Sequence, residues 1–144
     1  MKLFTRLLVL PGILIALATP LTTWSFEYNS PEHIRGAKTI DAEGLADIAQ
    51  SSPSLLIVDA RMAMDHAKGY IEGSVNLVDS DTNCDSLGEL APQIDTPMVF
   101  YCNGVNCDRS DIAVKIARDC GYRRLYWFRG GVEEWQAKRF PLVK

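Results

Sequence analysis

The sequence has no excess of positive charge. It carries 15 Lys and Arg residues against 18 Asp and Glu residues, which gives a formal net charge of −3 at pH 7. Because binding to a phosphate backbone depends on clusters of Lys and Arg, this balance argues against a nucleic-acid partner. Internal repeats and low-complexity tracts are also absent from the sequence. Extensive disorder and a fibrous architecture are therefore not expected.

Cysteine is scarce as well. Four cysteines in 144 residues are too few for a domain stabilised mainly by disulfides, so a hydrophobic core must supply most of the stability. They form no C-x-x-C pair and lack the histidine spacing of a zinc site, so no bound metal is predicted. With 47% hydrophobic and 23% charged residues, the chain has the composition and length of one globular domain.

Long hydrophobic runs are rare, and the longest is short. Residues 7–18 form a 12-residue apolar run that follows Lys2 and Arg6, whereas a membrane span needs about 20 apolar residues. A basic start, a short apolar run and small residues at its end are typical of a secretory signal peptide. We therefore predict that residues 1–18 are a cleaved signal peptide. The mature protein would have no membrane span and would be exported, to the periplasm or the extracellular space.

An uncleaved membrane anchor is the alternative, because Leu21, Trp24 and Phe26 could extend the apolar character. In either case the folded part is expected to lie outside the cytoplasm, where disulfides can persist. Four cysteines allow three complete pairings, and the sequence does not choose among them.

The rest of the chain alternates between short apolar runs and helical periods. Residues 19–37 show no period and are predicted to be a linker or an arm laid over the domain, and residues 38–144 to be the domain itself. Alternating strands and helices predict an α/β fold with a mainly parallel central sheet flanked by helices. The predicted strands lie near 39–40, 55–58, 75–77, 98–101 and 125–127, and the predicted helices near 42–50, 86–90 and 109–119.

The segment 98–111 carries the most informative pattern. A buried strand ends at Cys102, six loop residues follow, and a helix opens at Arg109. In α/β sheets, ligands bind beyond the carboxyl ends of the strands. The loop amides and the positive end of the helix favour a thiolate over a thiol, and Gly104 is expected to allow a backbone conformation that other residues avoid. The pattern predicts Cys102 as a nucleophile in a loop suited to negative charge.

Four motifs, in order along residues 38–143, resemble those of a single rhodanese domain. Each is weak alone, but four in the family's order are specific. The resemblance implies a rhodanese-like three-layer domain. The motifs are Ile57-Val58-Asp59-Ala60-Arg61, residues 69–76 (GYIEGSVN), Tyr101-Cys102 with Gly104, Arg109 and Ser110, and Gly121-Tyr122 with Tyr126 and residues 128–135 (FRGGVEEW), closing on Pro141.

The resemblance implies a sulfurtransferase. In this chemistry a Cys102 thiolate takes the outer sulfur of thiosulfate or a similar donor as a persulfide and passes it to an acceptor. The implied partners are a small sulfur-containing anion and a thiol or cyanide-like acceptor, with a protein as a further candidate acceptor, and no cofactor is required. The residues implied to bind the substrate are Asn103, Gly104, Val105, Asn106, Cys107, Asp108 and Arg109.

The loop departs from the form common among sulfurtransferases. Six residues separate Cys102 from Arg109, and Cys107 falls among them. Cys107 could form a disulfide with Cys102, act as a resolving thiol for the persulfide, or simply line the loop. A reversible Cys102–Cys107 disulfide would make the protein a redox or binding module without sulfur transfer, which is the alternative function. Phosphatase chemistry fits less well, because related phosphatase loops place five residues between the cysteine and the arginine.

Several other polar residues are interpreted as structural. Asp59 and Arg61 are expected to fix the loops around the site by hydrogen bonds, and His66 to lie at the surface or behind the site. Cys120 shares an apolar stripe with Ile112 and Ile116, which predicts core packing. Cys84, in a polar segment, could be free or bridged.

Overall fold

Five parallel strands form the central layer. They are β1 (Ala37–Ile40), β2 (Leu56–Asp59), β3 (Ser74–Asn76), β4 (Met98–Tyr101) and β5 (Leu125–Phe128), arranged in the order β1-β5-β4-β2-β3. Every neighbouring pair is parallel. The predicted α/β fold with a parallel sheet is therefore confirmed.

Helices cover both faces of this sheet. They are α1 (Ala42–Ser51), α2 (Ala63–His66), α3 (Cys84–Leu90), α4 (Arg109–Asp119) and α5 (Gly131–Ala137). Buried residues of α3 and α4 belong to one hydrophobic cluster, and buried residues of α1 and α5 belong to the other. The result is a three-layer sandwich, as the resemblance implied.

The central strand β4 explains why its sequence is an uninterrupted apolar run. Met98 and Phe100 belong to the cluster under α3 and α4, while Val99 and Tyr101 belong to the cluster under α1 and α5. Successive side chains of a strand point to opposite faces, so a strand covered on both faces needs apolar residues at every position.

Residues 28–144 are described by this computed structural model. The predicted signal peptide at 1–18 and the first residues of the predicted arm lie outside the described residues. Within 28–144, no helix is long and apolar enough to cross a membrane.

The helix starts follow from their capping residues. The Asp41 side chain accepts a hydrogen bond from the Gly44 amide at 2.8 Å and starts α1 as predicted. Helix α3 begins at Cys84, two residues before the predicted start. The cause is a capping box in which the Asn83 side chain accepts from the Ser86 amide and the Ser86 hydroxyl accepts from the Asn83 amide.

Candidate active site

Cys102 lies at the carboxyl end of the central strand. It follows directly on Tyr101, the last residue of β4, which is paired with β2 on one side and β5 on the other. The residue is buried, with 1% of its surface exposed. Residues 102–108, named here the cysteine loop, lead from it to the start of α4. The loop therefore occupies the edge of the sheet where α/β proteins bind ligands.

Cys102 is bonded to Cys107 within the cysteine loop. Their Cα atoms lie 6.2 Å apart, a separation that a disulfide can span. Three roles were left open for Cys107, and the structure shows the disulfide with Cys102. In this form Cys102 has no thiolate, so nucleophilic chemistry at Cys102 would require a reductant to open the bond first.

A second disulfide joins two helices. Cys84, the first residue of α3, is bonded to Cys120, directly after α4, with 5.4 Å between the Cα atoms. Cys120 packs against the core, as its place on the apolar stripe predicted. Its sulfur is in addition bonded to that of Cys84. None of the four cysteines, all of which lie in the described part of the chain, is free.

The start of α5 holds the cysteine loop in place. The Val132 amide donates to the Cys102 carbonyl oxygen at 3.0 Å, and the Glu133 amide donates to the Asn103 carbonyl oxygen at 2.8 Å. Gly131 makes this approach possible, because it has φ +56° and a Cβ built there would collide with the Cys102 carbonyl oxygen. Gly131, the second glycine of the last motif, therefore positions the backbone of Cys102.

Gly104 provides space beside the loop rather than an unusual backbone conformation. The expectation of an unusual conformation is wrong, since Gly104 is not among the glycines with positive φ in residues 28–144. A Cβ built on Gly104 would collide with the Glu133 carboxylate. The absence of a side chain at Gly104 lets this carboxylate lie directly against the cysteine loop.

A cavity of about 280 Å³ opens beside the loop. Two of its lining side chains, Asp108 and Glu133, are carboxylates. Five of the predicted substrate-contact residues line it, whereas Val105 and Arg109 do not. The lining residues are Asn103, Gly104, Asn106, Cys107, Asp108 and Glu133.

Val105 contacts the N-terminal arm, residues 28–36. The Ser30 amide donates to the Val105 carbonyl oxygen at 2.8 Å. Arg129 holds the same part of the arm by donating to the carbonyl oxygens of Pro31 and Ser30, each at 2.8 Å. The described part of the predicted arm is thus laid over the domain, and it touches the cysteine loop.

Arg109, the expected cation for an anionic donor, already has an anionic partner. Its guanidinium lies 2.5 Å from the Asp79 carboxylate. The Arg109 side chain is 36% exposed and that of Asp79 16% exposed. A bound anion would therefore compete with Asp79 for this guanidinium.

The arm also reaches the first turn of α4. The Tyr28 hydroxyl donates to the Asp111 carboxylate. Burial, together with this hydrogen bond to a carboxylate, raises the pKa of Tyr28 to about 12. Asp108 precedes α4 without making a side-chain capping hydrogen bond, so its carboxylate is left to line the cavity.

A buried polar network lies behind the cysteine loop, centred on Asp59. The Asp59 carboxylate accepts hydrogen bonds from Arg61 at 2.6 Å and from the Tyr101 hydroxyl at 2.9 Å, and it lies 2.9 Å from His66 Nδ1. Burial raises the pKa of Asp59, but the hydrogen bonds from Arg61 and His66 outweigh it, so the pKa lies below its usual value. Burial, followed by the charge of Asp59, raises the pKa of Tyr101.

This network fixes Tyr101, the residue that precedes Cys102. The Tyr101 hydroxyl also accepts from the Ile71 amide at 3.2 Å and lies 3.0 Å from the Ser74 hydroxyl. Asp59 and Arg61 therefore hold loops together, as expected of them. His66 supports the site from behind, with 20% of its side chain exposed.

Glu133 and Asp79 were not predicted as site residues. Glu133 carried a usable signal, because it follows two residues after Gly130-Gly131, at the start of a helix whose preceding strand neighbours β4. Asp79 lies in a polar segment and carried no comparable signal. Glu133 adds a carboxylate to the cavity beside the cysteine loop, and Asp79 pairs with Arg109.

Comparison with known proteins agrees with this architecture. A family model described as Rhodanese-like domain matches residues 41–138. The protein YibN of Escherichia coli (strain K12) is 31% identical over 90 residues, which span 62% of this chain and 61% of YibN. The chain thus covers less than two thirds of the length of that relative.

Two solved structures show the same fold. The human single-domain sulfurtransferase TSTD1 superimposes with a TM-score of 0.59 and 23% identity, over 72% of this chain and 98% of that one. The polysulfide-sulfur transferase homodimer of Wolinella succinogenes superimposes with a TM-score of 0.60 and 17% identity, over 75% of this chain and 79% of that one. Since the family model covers most of the chain, the protein belongs to the rhodanese-like domain family.

Proposed function

We propose that the protein is a sulfurtransferase that carries a sulfane sulfur on Cys102. The observation that carries the proposal is the position of Cys102 at the end of the central strand, in a loop whose backbone is held by the start of α5. The sulfurtransferases among its structural neighbours support the same chemistry. The natural donor is thiosulfate or a related sulfane compound.

The proposed reaction has two transfers after the Cys102–Cys107 disulfide is reduced. The Cys102 thiolate attacks the outer sulfur of thiosulfate, a new S–S bond forms, and sulfite leaves with the electron pair of the broken bond. The resulting persulfide then gives its outer sulfur to a thiol or cyanide, and the Cys102 thiolate returns. Splitting the transfer at a covalent intermediate makes each step easier than a direct exchange.

Mass spectrometry tests this proposal directly. The protein is reduced, freed of reductant, incubated with thiosulfate and digested. We expect a gain of one sulfur on the Cys102 peptide, which cyanide removes. Cys107→Ser is the matched control, because it keeps Cys102 and removes its disulfide partner, so it should take up sulfur without prior reduction. Absence of sulfur on Cys102 in both the reduced protein and Cys107→Ser would refute the proposal.

The Cys102–Cys107 disulfide favours a second candidate function. A reversible disulfide at the end of the central strand could exchange electrons with a dithiol partner without any sulfur transfer. In that case the reduced protein would take up no sulfur, while repeated cycles of reduction and reoxidation would open and close this bond alone. Thiol counting after each cycle, with the Cys84–Cys120 pair as internal reference, separates the two functions.

We further propose that the protein acts outside the cytoplasm. The predicted signal peptide at residues 1–18 and the two disulfides support this, because disulfides persist in oxidising compartments. Fractionation of cells that express the full chain, with sequencing of the mature N-terminus, tests it. Recovery of the uncleaved, reduced protein from the cytoplasm would contradict it.

A further inference from the structure

The geometry points to Cys107 as the sulfur at which an incoming thiol opens the disulfide, and to the cavity beside it as the binding site for a thiol flanked by positive charge. The inference deepens the proposed function and rests on it for its purpose, since this step releases the Cys102 thiolate that sulfur transfer requires. The cavity is the one of about 280 Å³ lined by Cys107, Asp108 and Glu133.

Access distinguishes the two sulfurs of the bond. Cys102 is buried, with 1% of its surface exposed, and does not line the cavity. Cys107 is partly exposed and does line it. Thiol–disulfide exchange requires a thiolate to reach one sulfur, and access decides which sulfur it reaches. The thiol therefore reaches Cys107 first.

Charge decides which thiols the cavity favours. Asp108 and Glu133 place two carboxylates in its wall, and none of its lining residues is Lys or Arg. Arg109, next in the chain, has its guanidinium on Asp79. A cavity lined by one sign of charge raises the local concentration of ligands of the opposite sign. Thiols that carry a cation are therefore favoured over anionic thiols.

The fold fixes the backbone of Glu133 beside the cysteine loop. Its amide donates to the Asn103 carbonyl oxygen at 2.8 Å, and Gly104 leaves space for its carboxylate against the loop. A substitution that changes only the side-chain charge at this position keeps the backbone contact. Glu133→Gln therefore isolates the electrostatic contribution.

The exchange balances with two molecules of thiol. The first thiolate attacks the Cys107 sulfur, forms a mixed disulfide with it and expels the Cys102 thiolate. A second thiolate attacks the small-molecule sulfur of that mixed disulfide, releases the Cys107 thiolate, and leaves as a symmetrical disulfide. Two thiols are oxidised, one protein disulfide is reduced, and the two protons are distributed between the protein thiolates and solvent.

The test uses three thiols of similar size and different charge: 2-aminoethanethiol, 2-mercaptoethanol and 2-mercaptoethanesulfonate. The rate of disulfide opening is measured for the wild type, for Glu133→Gln and for Glu89→Gln. Glu89 is an exposed carboxylate of α3 that does not line the cavity. Comparing variants for each thiol cancels the intrinsic reactivity of that thiol.

We expect Glu133→Gln to lower the ratio of the cationic to the anionic rate by about threefold at low salt, a size typical of exposed charge pairs, and Glu89→Gln to leave it unchanged. Acid quenching and fragmentation of the digested peptide should place the small-molecule adduct on Cys107. An adduct on Cys102, or the same rate ratio in Glu133→Gln as in the wild type, would overturn the inference.

The outcome is separable from that of the proposed function. Protein reduced by a phosphine and freed of it needs no thiol, so its uptake of sulfur from thiosulfate is measured independently of the charge preference. Absence of sulfur on Cys102 in both the reduced protein and Cys107→Ser refutes the sulfurtransferase proposal but leaves the exchange at Cys107 standing. Sulfur uptake accompanied by a small-molecule thiol adduct on Cys102 supports the sulfurtransferase proposal and overturns the exchange at Cys107.

Discussion

The guanidinium of Arg109 lies 2.5 Å from the carboxylate of Asp79, a residue 30 positions earlier in the chain. The pair joins the start of α4 to the segment after β3. It neutralises the cation that the family resemblance assigns to an anionic donor. With Asp108 and Glu133 in the adjacent cavity wall, it makes the surroundings of the cysteine loop more acidic than the motif implied.

Removing Asp79 should improve the use of an anionic donor. In Asp79→Asn the Arg109 guanidinium is free to attract thiosulfate, so we expect the KM for thiosulfate in the reduced protein to fall by about two- to fivefold, with kcat little changed. Steady-state kinetics at two ionic strengths measures this effect, which should shrink at high salt. Asp81→Asn, a change at an exposed carboxylate of the same segment, is the control. Equal KM values for Asp79→Asn and the wild type would contradict the prediction.

Substitution of Gly131 should disturb the cysteine loop. Gly131→Ala places a Cβ against the Cys102 carbonyl oxygen at a residue with φ +56°, which should cost about 1–3 kcal/mol in the free energy of unfolding. Sulfur uptake by the reduced variant should also slow. Gly88→Ala in α3 is the matched control, because its Cβ would meet nothing within 4 Å. Urea unfolding of both variants measures this destabilisation. Equal midpoints for Gly131→Ala and Gly88→Ala would show that the close approach of Gly131 to Cys102 does not contribute to stability.

Removing the buried carboxylate of Asp59 should destabilise the protein strongly and in a pH-dependent way. Asp59→Asn leaves the buried Arg61 without its anion, a change that typically costs about 3–5 kcal/mol near neutral pH. Because the pKa of Asp59 lies below its usual value in the folded state, its contribution is present above pH of about 4 and is lost as the pH falls through the folded pKa.

The stability difference between the wild type and Asp59→Asn should therefore narrow below pH of about 4. Urea midpoints from pH 7 down to acid conditions measure this difference. A constant difference across the whole range would show that the carboxylate charge of Asp59 does not contribute.

The Cys84–Cys120 disulfide should support stability without affecting chemistry. It closes a long loop, with a sequence separation of 36 residues, so replacing both cysteines by Ser should lower the free energy of unfolding by about 2–5 kcal/mol. Sulfur uptake by the reduced double variant should match that of the reduced wild type. Loss of sulfur uptake in a double variant that remains folded by circular dichroism would argue against a purely structural role.

The fold could be predicted from local sequence patterns, whereas the site could be predicted only in part. The apolar run of β4 and the evenly spaced apolar residues of α4 are visible within a few neighbouring positions, so their elements were predicted within a residue or two. The pairing of Cys84 with Cys120 depends on where two helix ends meet in space, which no local pattern contains. Likewise Glu133 approaches Gly104 from 29 residues away because α5 starts beside the end of β4.

The hydrogen bond between Ser30 and Val105 has a practical consequence for handling the protein. Through this bond the N-terminal arm directly contacts the cysteine loop. A purification tag or fusion partner attached just before Tyr28 would be tethered beside the cysteine loop, where it would hinder the access of reagents to Cys107. An attachment point at Lys144 avoids this tether through the arm.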